Sequence, residues 1–227
     1  MPRPASPKSA SADARKSAAP ATLQSQKSAQ TRLQLIEAAV RCIIKSGYAN
    51  TTTPRVAAEA GLSRGAMMHH FENGPALIRA AITHLNDKRL RAFQRSVDGL
   101  PDTNDVRGLL NGYWRQINRP TFLAFHELAI AARTDKGLAA ILLPAEREFS
   151  SQWYNLAVDL FPAWQSDPEK FRLALKVTQH TLEGMAINRL IYGDEDLMIE
   201  EVLDHLEQQI LALRPAPTGA AIPTSVG

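Results

Sequence analysis

The chain has 227 residues, 44% of them hydrophobic, which is long and apolar enough to bury the core of a folded protein. No stretch approaches eighteen uninterrupted apolar residues and the N-terminus has no apolar run, so we expect neither a membrane span nor a secretory signal peptide. The one cysteine, Cys42, cannot form an internal disulfide, which favours a location in the reducing cytoplasm.

The net charge of +3 is distributed unevenly. Residues 1–30 carry five Lys or Arg against one acid, residues 31–95 carry ten against four, and residues 96–227 carry eleven against eighteen. Chance variation along a chain is one explanation. The other is that only the basic first third of the protein meets a polyanion such as nucleic acid.

The two ends of the chain are poor in large apolar residues. Residues 1–28 are rich in Ala, Ser, Pro and Lys, and residues 214–227 have a similar composition rich in Pro, Ala and Thr. Such segments cannot bury a core. We therefore predict a disordered basic tail over 1–28 and a second disordered tail over 214–227.

Between the tails, apolar residues recur with helical spacing and no strand-like alternation appears. Gly and Pro residues separate the predicted helices. In chain order these helices cover residues 31–46, a short helix from Thr52 or Thr53, a short helix after Ser63, and residues 74–97, 103–118, 120–133, 136–160, 168–192 and 195–213. The sequence thus predicts an all-α fold of about nine helices, with a three-helix domain over 29–75 and a larger helical domain over 76–213.

The most informative segment is Thr53–Phe71, with the sequence TPRVAAEAGLSRGAMMHHF. It predicts two short helices joined by a tight turn, in which Gly61 adopts the left-handed conformation that a side chain would resist. Small Ala57 lets the helices approach each other. The seam between them is predicted to consist of Val56, Ala60, Leu62 and Met67.

Ser63 is placed to cap the second of these helices. The first turn of that helix then presents Arg64, Gly65 and Ala66 to the outside. A DNA-reading helix-turn-helix has this arrangement, because its second helix enters the major groove with its N-terminal residues at the base edges. An Ala-x-x-x-Gly pattern alone is common in helical proteins, but here a capping serine, a basic residue and a preceding amphipathic helix accompany it.

The segment Thr31–Ile82 resembles the DNA-binding domain of the tetracycline-repressor (TetR) family of bacterial transcriptional regulators. The matching stretches are TRLQLIEAAVRCIIKSGYANTTTPRVAAEAG, LSRGAMMHHF and ALIRAAI. The resemblance implies a ligand-responsive regulator, by family default a repressor, that binds a near-palindromic DNA operator as a homodimer. Past about residue 95 the resemblance rests on architecture alone.

The resemblance also implies roles for individual residues. Phe71 would belong to the core, Met68 stands where the family commonly has a tyrosine, and Gly74 stands where it commonly has a lysine. Since two familiar phosphate contacts are therefore missing, we expect the basic tail to add phosphate contacts. The predicted DNA-contacting residues are Thr52, Thr53, Ser63, Arg64, Gly65, Ala66, Met68 and His69.

An aromatic cluster in the larger domain is a candidate effector pocket, with plain core packing as the alternative. Because its lining is aromatic and nearly uncharged in the sequence, we expect a neutral, apolar or ring-containing effector, and His126 would supply one hydrogen bond. The predicted pocket residues are Trp114, Ile117, Phe122, Phe125, His126 and Trp153.

The last two long helices carry more apolar residues than one face needs, which predicts a four-helix dimer interface. Its predicted members are Phe171, Leu175, Thr178, Leu182, Met185, Leu203, Leu206 and Ile210.

Two other classes of function stay open at this point: a helical enzyme, and an architectural DNA-binding protein without a ligand. We expect no enzyme, cofactor or metal, because the sequence has no Gly-rich phosphate loop, nucleophile elbow or Cys/His cluster. His69 and His70 are adjacent on a predicted helix and would point about 100° apart, which does not suit one shared metal ion.

Overall fold

The computed structural model describes residues 22–194 and 198–215. These residues form nine α-helices and one short 3₁₀ helix, Pro162–Trp164, and contain no strand, so the predicted all-α fold is confirmed. The α-helices are α1 (Leu23–Ser46), α2 (Thr53–Glu59), α3 (Arg64–Met68), α4 (Gly74–Asp98), α5 (Val106–Ile117), α6 (Pro120–Ala132), α7 (Lys136–Leu160), α8 (Pro168–Tyr192) and α9 (Ile199–Leu213). None of the helices in these two ranges is long and apolar enough to cross a membrane.

The start of α1 differs from the prediction by two helical turns. The side chain of Thr22 caps the helix by accepting a hydrogen bond from the backbone N–H of Ser25 at 3.2 Å. Residues 23–30 are all exposed, so no buried apolar stripe marks them as helical. The predicted disordered tail is therefore wrong for residues 22–28. Its residues 1–21, and residues 216–227 of the second predicted tail, lie outside the described residues.

One core joins the N-terminal helices to the rest of the protein. Cys42 belongs to this core. The same cluster continues into α6 and α7, so α1 packs against both the short helices and the larger domain. Its largest fully buried side chains are Leu35, Ile43, Val56, Met67, Leu77, Ile82, Leu85, Leu128, Leu138 and Leu142.

The long helix α4 runs from the short helices into the larger domain and is fastened there by polar contacts. The side chain of Asn86 is buried and donates a hydrogen bond to a backbone carbonyl of α7 at 3.3 Å. The guanidinium group of Arg89 contacts the Glu146 carboxylate at 3.2 Å and lies over the rings of Phe125 and Phe149, at 4.1 and 3.9 Å from their centroids. Arg89 therefore connects α4 to both α6 and α7.

A second core lies between α5, α8 and α9, and it contains residues predicted to contact another protomer. Leu182, Leu203 and Leu206 are at most 2% exposed within this single chain, and Met185 is also buried in this core. Phe171 is buried in a separate cluster with Phe161 and Trp164. Leu175, Thr178 and Ile210 are half-buried. The predicted dimer interface is therefore wrong for the five buried residues, because their helical spacing reflects packing inside the protomer.

Candidate functional site

The turn between α2 and α3 has the geometry of a helix-turn-helix. Gly61 has a φ of +67°, the left-handed conformation expected from the sequence. The backbone N–H of Leu62 donates to the carbonyl of Ala57 at 2.9 Å and closes the turn. Val56 and Met67 are buried on either side of the turn, so they hold the two helices against α1.

Polar side chains of α1 fix the position of α2. Arg41 Nε and Lys45 Nζ contact Glu59 Oε1 at 2.8 and 3.0 Å, and Gln34 donates to the carbonyl of Ala60 at 2.7 Å. The hydrogen bonds from Arg41 and Lys45 hold the pKa of Glu59 below its ordinary value. These two cations of the basic segment are therefore already paired with a carboxylate of the same chain.

The outer face of α3 is exposed and carries the residues predicted to meet bases. Ser63 Oγ caps the helix by accepting from the N–H of Ala66 at 3.1 Å, as the sequence predicts. The side chains of Arg64, Met68 and His69 are exposed, and Arg64 has no hydrogen bond or ion pair with any described residue. Gly65 is exposed as well, whereas Ala66 is half-buried.

The start of α2 carries Thr52 and Thr53, which the sequence predicts to contact DNA. Thr52 is exposed and its side chain makes no capping hydrogen bond, which leaves the hydroxyl group available. Thr53 is half-buried at the first position of the helix, ahead of Pro54.

Sequence reasoning missed Arg32, which holds the end of α3. Its guanidinium group donates to the carbonyl of His70 at 3.2 Å and lies 4.2 Å from the ring centroid of the buried Phe71. Helical spacing could not reveal this contact, because Arg32 and His70 are 38 residues apart.

A cavity of about 820 Å³ opens between α4, α5, α6, α7 and α8. This volume lies within the range of small-molecule sites, roughly 300–1,000 Å³. Phe122, Phe149, Trp153 and Tyr154 supply aromatic surface to its wall. The larger domain therefore contains a cavity with partly aromatic walls, and the predicted effector pocket stays a prediction.

Only part of the predicted pocket lines this cavity. Ile117, Phe122 and Trp153 do, whereas Trp114 packs against the core between α5, α8 and α9. Phe125 does not line the cavity either, because its ring faces the guanidinium group of Arg89.

His126 is also absent from the lining. Its Nδ1 lies 3.3 Å from the carbonyl oxygen of Phe122 on the preceding helical turn, and its ring lies against the Phe122 and Phe125 rings. Burial lowers the pKa of His126, which favours the neutral imidazole. The prediction that His126 offers a hydrogen bond to an effector is therefore not supported by its position.

The charges around the cavity contradict the expectation of a nearly uncharged lining. The described residues that line it include one acid, Glu183, and seven cations: Lys88, Arg89, Arg91, Arg95, Arg119, Arg172 and Lys176. Four of these cations lie on the second half of α4. The charge distribution along the sequence had placed them in the basic first third of the chain, which was expected to meet nucleic acid.

A polar network forms one side of the cavity. Glu183 Oε1 accepts hydrogen bonds from the Tyr113 hydroxyl at 2.8 Å and from Gln179 Nε2 at 3.3 Å. Burial raises the pKa of Tyr113 well above its ordinary value, so its hydroxyl stays a donor. Gln116 Nε2 donates to the carbonyl of Arg89 at 3.1 Å and joins α5 to α4. The one acid of the lining is thus already hydrogen-bonded within the protein.

Comparison with known proteins agrees with this geometry. Residues 35–81 match the model of the family described as bacterial regulatory proteins, tetR family. A Mycobacterium bovis protein named as an HTH-type transcriptional regulator is 27% identical over 179 residues, which cover 78% of this chain and 91% of that protein. Residues 35–81 are therefore a TetR-type DNA-binding domain. The protein is a DNA-binding transcriptional regulator whose helix-turn-helix is formed by α2 and α3.

Two further similarities are to proteins whose descriptions mention small molecules. The nicotine-responsive transcriptional repressor HdnoR of Paenarthrobacter nicotinovorans is 30% identical over 125 residues, or 55% of this chain and 61% of that protein. The crystal structure of the multidrug binding protein EbrR complexed with ethidium aligns with a TM-score of 0.57 at 23% identity, covering 82% of this chain and 99% of that one. The structural similarity shows that the two proteins share the same fold over this length.

The DNA-binding helices of this protein are attached to α6 by a carboxylate. Glu127 Oε1 accepts a hydrogen bond from the backbone N–H of Tyr48 at 2.9 Å, just past the end of α1. The Tyr48 hydroxyl donates to Asp135 Oδ2 at 3.2 Å, at the start of α7. The other end of α6 forms the cavity wall through Pro120 and Phe122. One helix therefore touches both the cavity and the loop that precedes the helix-turn-helix.

Proposed function

We propose that this protein is a homodimeric repressor that acts on bacterial DNA in the cytoplasm and whose affinity for its operator depends on a small molecule bound in the 820 Å³ cavity. The observation that carries the proposal is that α6 extends from the wall of this cavity to the Tyr48 contact beside the helix-turn-helix. A ligand that fits only one position of α6 would shift the population of DNA-binding conformations.

DNA recognition is assigned to the exposed face of α3. Arg64 has no hydrogen bond or ion pair with the described residues and has the donor geometry to bind a guanine edge in the major groove. Thr52, Thr53 and His69 are assigned to the phosphate groups that flank the groove. Met68, Ser63, Gly65 and Ala66 lie on or beside the same helix and would contact the groove wall.

The homodimer is assigned to the outer faces of α8 and α9, not to the buried residues first expected. Leu173 and Ile191 of α8 are 50% and 69% exposed, and Leu211 of α9 is 47% exposed. A Cβ placed on Gly184, between the two exposed apolar residues of α8, would meet no atom within 4 Å. A second copy packed on this stripe would bury the apolar residues and would set the spacing of two α3 helices, as a palindromic operator requires.

An architectural DNA-binding protein without a ligand is the second candidate. That function predicts a closely packed sensor domain, since interiors without a binding role contain few voids larger than a water molecule. A cavity of about 820 Å³ with its own polar network favours the ligand-responsive regulator instead.

Selection of bound genomic fragments by the full chain, followed by titration of the selected duplex, tests the proposal. Arg64→Ala should reduce discrimination between the selected site and random DNA by about 1–3 kcal/mol, because one base contact is removed. Affinity should fall with salt by about 0.9 log units per phosphate contact for each log unit of salt. Arg147→Ala, which removes an exposed arginine from α7, serves as the matched control. Binding without preference for any fragment would contradict the proposal.

A further inference from the structure

We propose that the effector of this regulator is an anionic amphiphile, an organic acid whose apolar body enters the cavity while its acid group stays at the basic rim. The inference rests on the proposed function, because it names the chemical class of the ligand for the same cavity. It replaces the neutral effector that the sequence favoured.

The positive charge at the cavity is largely uncompensated. Among the described residues, Arg91, Arg95 and Arg119 are exposed and have no ion pair, whereas Arg89 pairs with Glu146 and Lys88 pairs with Glu37. On α8, Arg172 lies 5.0 Å from the ring centroid of Tyr154, and Lys176 donates to the amide oxygen of Gln179. An acid group at this rim would meet several guanidinium donors, the group that binds carboxylates most specifically.

The N-terminus of α6 adds to the positive electrostatic potential at the cavity rim. Arg119 occupies the cap position without a side-chain capping hydrogen bond, and residues 119–122 all line the cavity. The positive end of the dipole of a 13-residue helix therefore faces the cavity together with the side-chain cations.

The interior suits an apolar body. Phe122 and Phe149 are less than 10% exposed, and Trp153 stands beside them on the cavity wall. A second cavity of about 280 Å³ adjoins the first, since Tyr113, Trp153, Leu175 and Gln179 line both. Its other walls are mainly apolar, with Phe93, Leu109, Leu110, Phe161, Trp164 and Phe171. An amphiphile anchored at the rim has room for a ring or chain that extends towards α9.

The same lining disfavours cations. Glu183 is the one acid among the described lining residues, and its Oε1 already accepts from Tyr113 and Gln179. A cation in this cavity would face seven positive side chains. Although the chain shares its fold with a protein solved with ethidium, its cavity therefore predicts the opposite ligand charge.

Four probes test the inference on the full chain. Two are acids, the ring-containing 1-naphthylacetate and the chain-shaped dodecanoate; the third is the neutral amide of 1-naphthylacetate, and the fourth is the cation ethidium. Binding is measured by isothermal titration, by the shift in melting temperature and by quenching of tryptophan fluorescence. We expect at least one of the two acids to bind at least about tenfold more tightly than the amide, the size of one charge-assisted hydrogen bond. We expect ethidium to bind most weakly.

The variants Arg95→Gln and Arg119→Gln each remove one rim charge, and Arg147→Gln removes an exposed arginine that does not line the cavity. The first two should weaken acid binding several-fold and leave amide binding unchanged, while the third should change neither.

Equal affinity for acid and amide, tighter binding of ethidium, or no binding of either acid at millimolar concentration would overturn the inference. Operator binding by the same preparation is measured alongside. Failure of the acids with intact operator binding refutes only the ligand class, whereas loss of site-specific DNA binding refutes the proposed function.

Discussion

Glu127 offers the sharpest test of how the cavity and the DNA-binding helices communicate. Its carboxylate accepts the N–H of Tyr48 at 2.9 Å across 79 residues of sequence. Gly47 precedes Tyr48 with a φ of +76°, and a Cβ at this position would lie 2.8 Å from Glu127 Oε1. The carboxylate therefore occupies space that only a glycine leaves free.

The expected magnitude follows from that contact. Glu127→Ala leaves a part-buried N–H without its acceptor, which costs about 1–3 kcal/mol of unfolding free energy. For a chain of this size, such a loss lowers the melting temperature by about 2–12 °C. If the contact also transmits the ligand signal, the ratio of operator affinities without and with ligand should fall towards one, from a starting value of about 5–150 for a typical allosteric protein. Glu127→Gln keeps an oxygen acceptor, so it should lose less unfolding free energy and less of the ligand response than Glu127→Ala.

The assay combines thermal unfolding with operator titration in the presence and absence of a ligand that binds the parent protein. Glu148→Ala is the matched control, because among the described residues this exposed carboxylate bonds only to Gln152, one turn further along α7. A Glu127→Ala protein that melts earlier but still releases DNA at the parent ligand concentration would show that the contact is structural and carries no signal. An unchanged melting temperature would refute the energetic argument itself.

Two further predictions concern buried side chains. Leu182→Ala should lower the free energy of unfolding by about 2–5 kcal/mol, because the side chain is fully buried within one chain. The control Leu190→Ala, on the same helix and 59% exposed, should lower it by less than about 0.5 kcal/mol. A stable Leu182→Ala protein that is monomeric in ultracentrifugation would instead place Leu182 at a dimer interface. Burial lowers the pKa of His126, so as the pH falls the unfolded state takes up a proton before the folded state does. The free energy of unfolding should therefore fall as the pH drops below about 6.5. In denaturant titrations between about pH 7.5 and 5, His126→Gln should reduce this pH dependence; an unchanged pH dependence would contradict the contribution of His126.

The sequence predicted the helices well where their ends carry specific chemistry. Ser63 caps α3 with its hydroxyl, Gly61 has the left-handed turn conformation, and Pro120 and Pro168 each occupy the first turn of a helix. The beginning of α1 was missed for a physical reason. Residues 23–30 are exposed on every side, so burial leaves no periodic pattern in that part of the helix.

The direction of an apolar face could not be predicted from spacing. Leu182 of α8 and Leu203 of α9 belong to apolar rows that pack against α5 inside the protomer. Leu173 and Ile191 of α8 are exposed on the outside of the protomer. Both sets have the period of an α-helix, and only the neighbouring helices decide which set is internal. The same limit applied to Trp114, whose aromatic character fits a core as well as a pocket.

The number of cations in a sequence segment does not show which surface of the folded protein carries them, and α4 is an example. The helix has 25 residues, and Lys88 lies about 21 Å along its axis from Gly74, where it leaves the helix-turn-helix. Four of the ten cations of residues 31–95 therefore line the cavity and not the DNA-binding face. This separation exceeds the Debye length of about 8–10 Å at physiological salt. An anion bound at the cavity would consequently change the electrostatic potential at α3 very little. For the proposed acidic ligand we therefore expect mechanical communication with DNA, through displacement of α4 at Arg89 and of α6 at Glu127, and it should persist at salt concentrations that screen direct attraction.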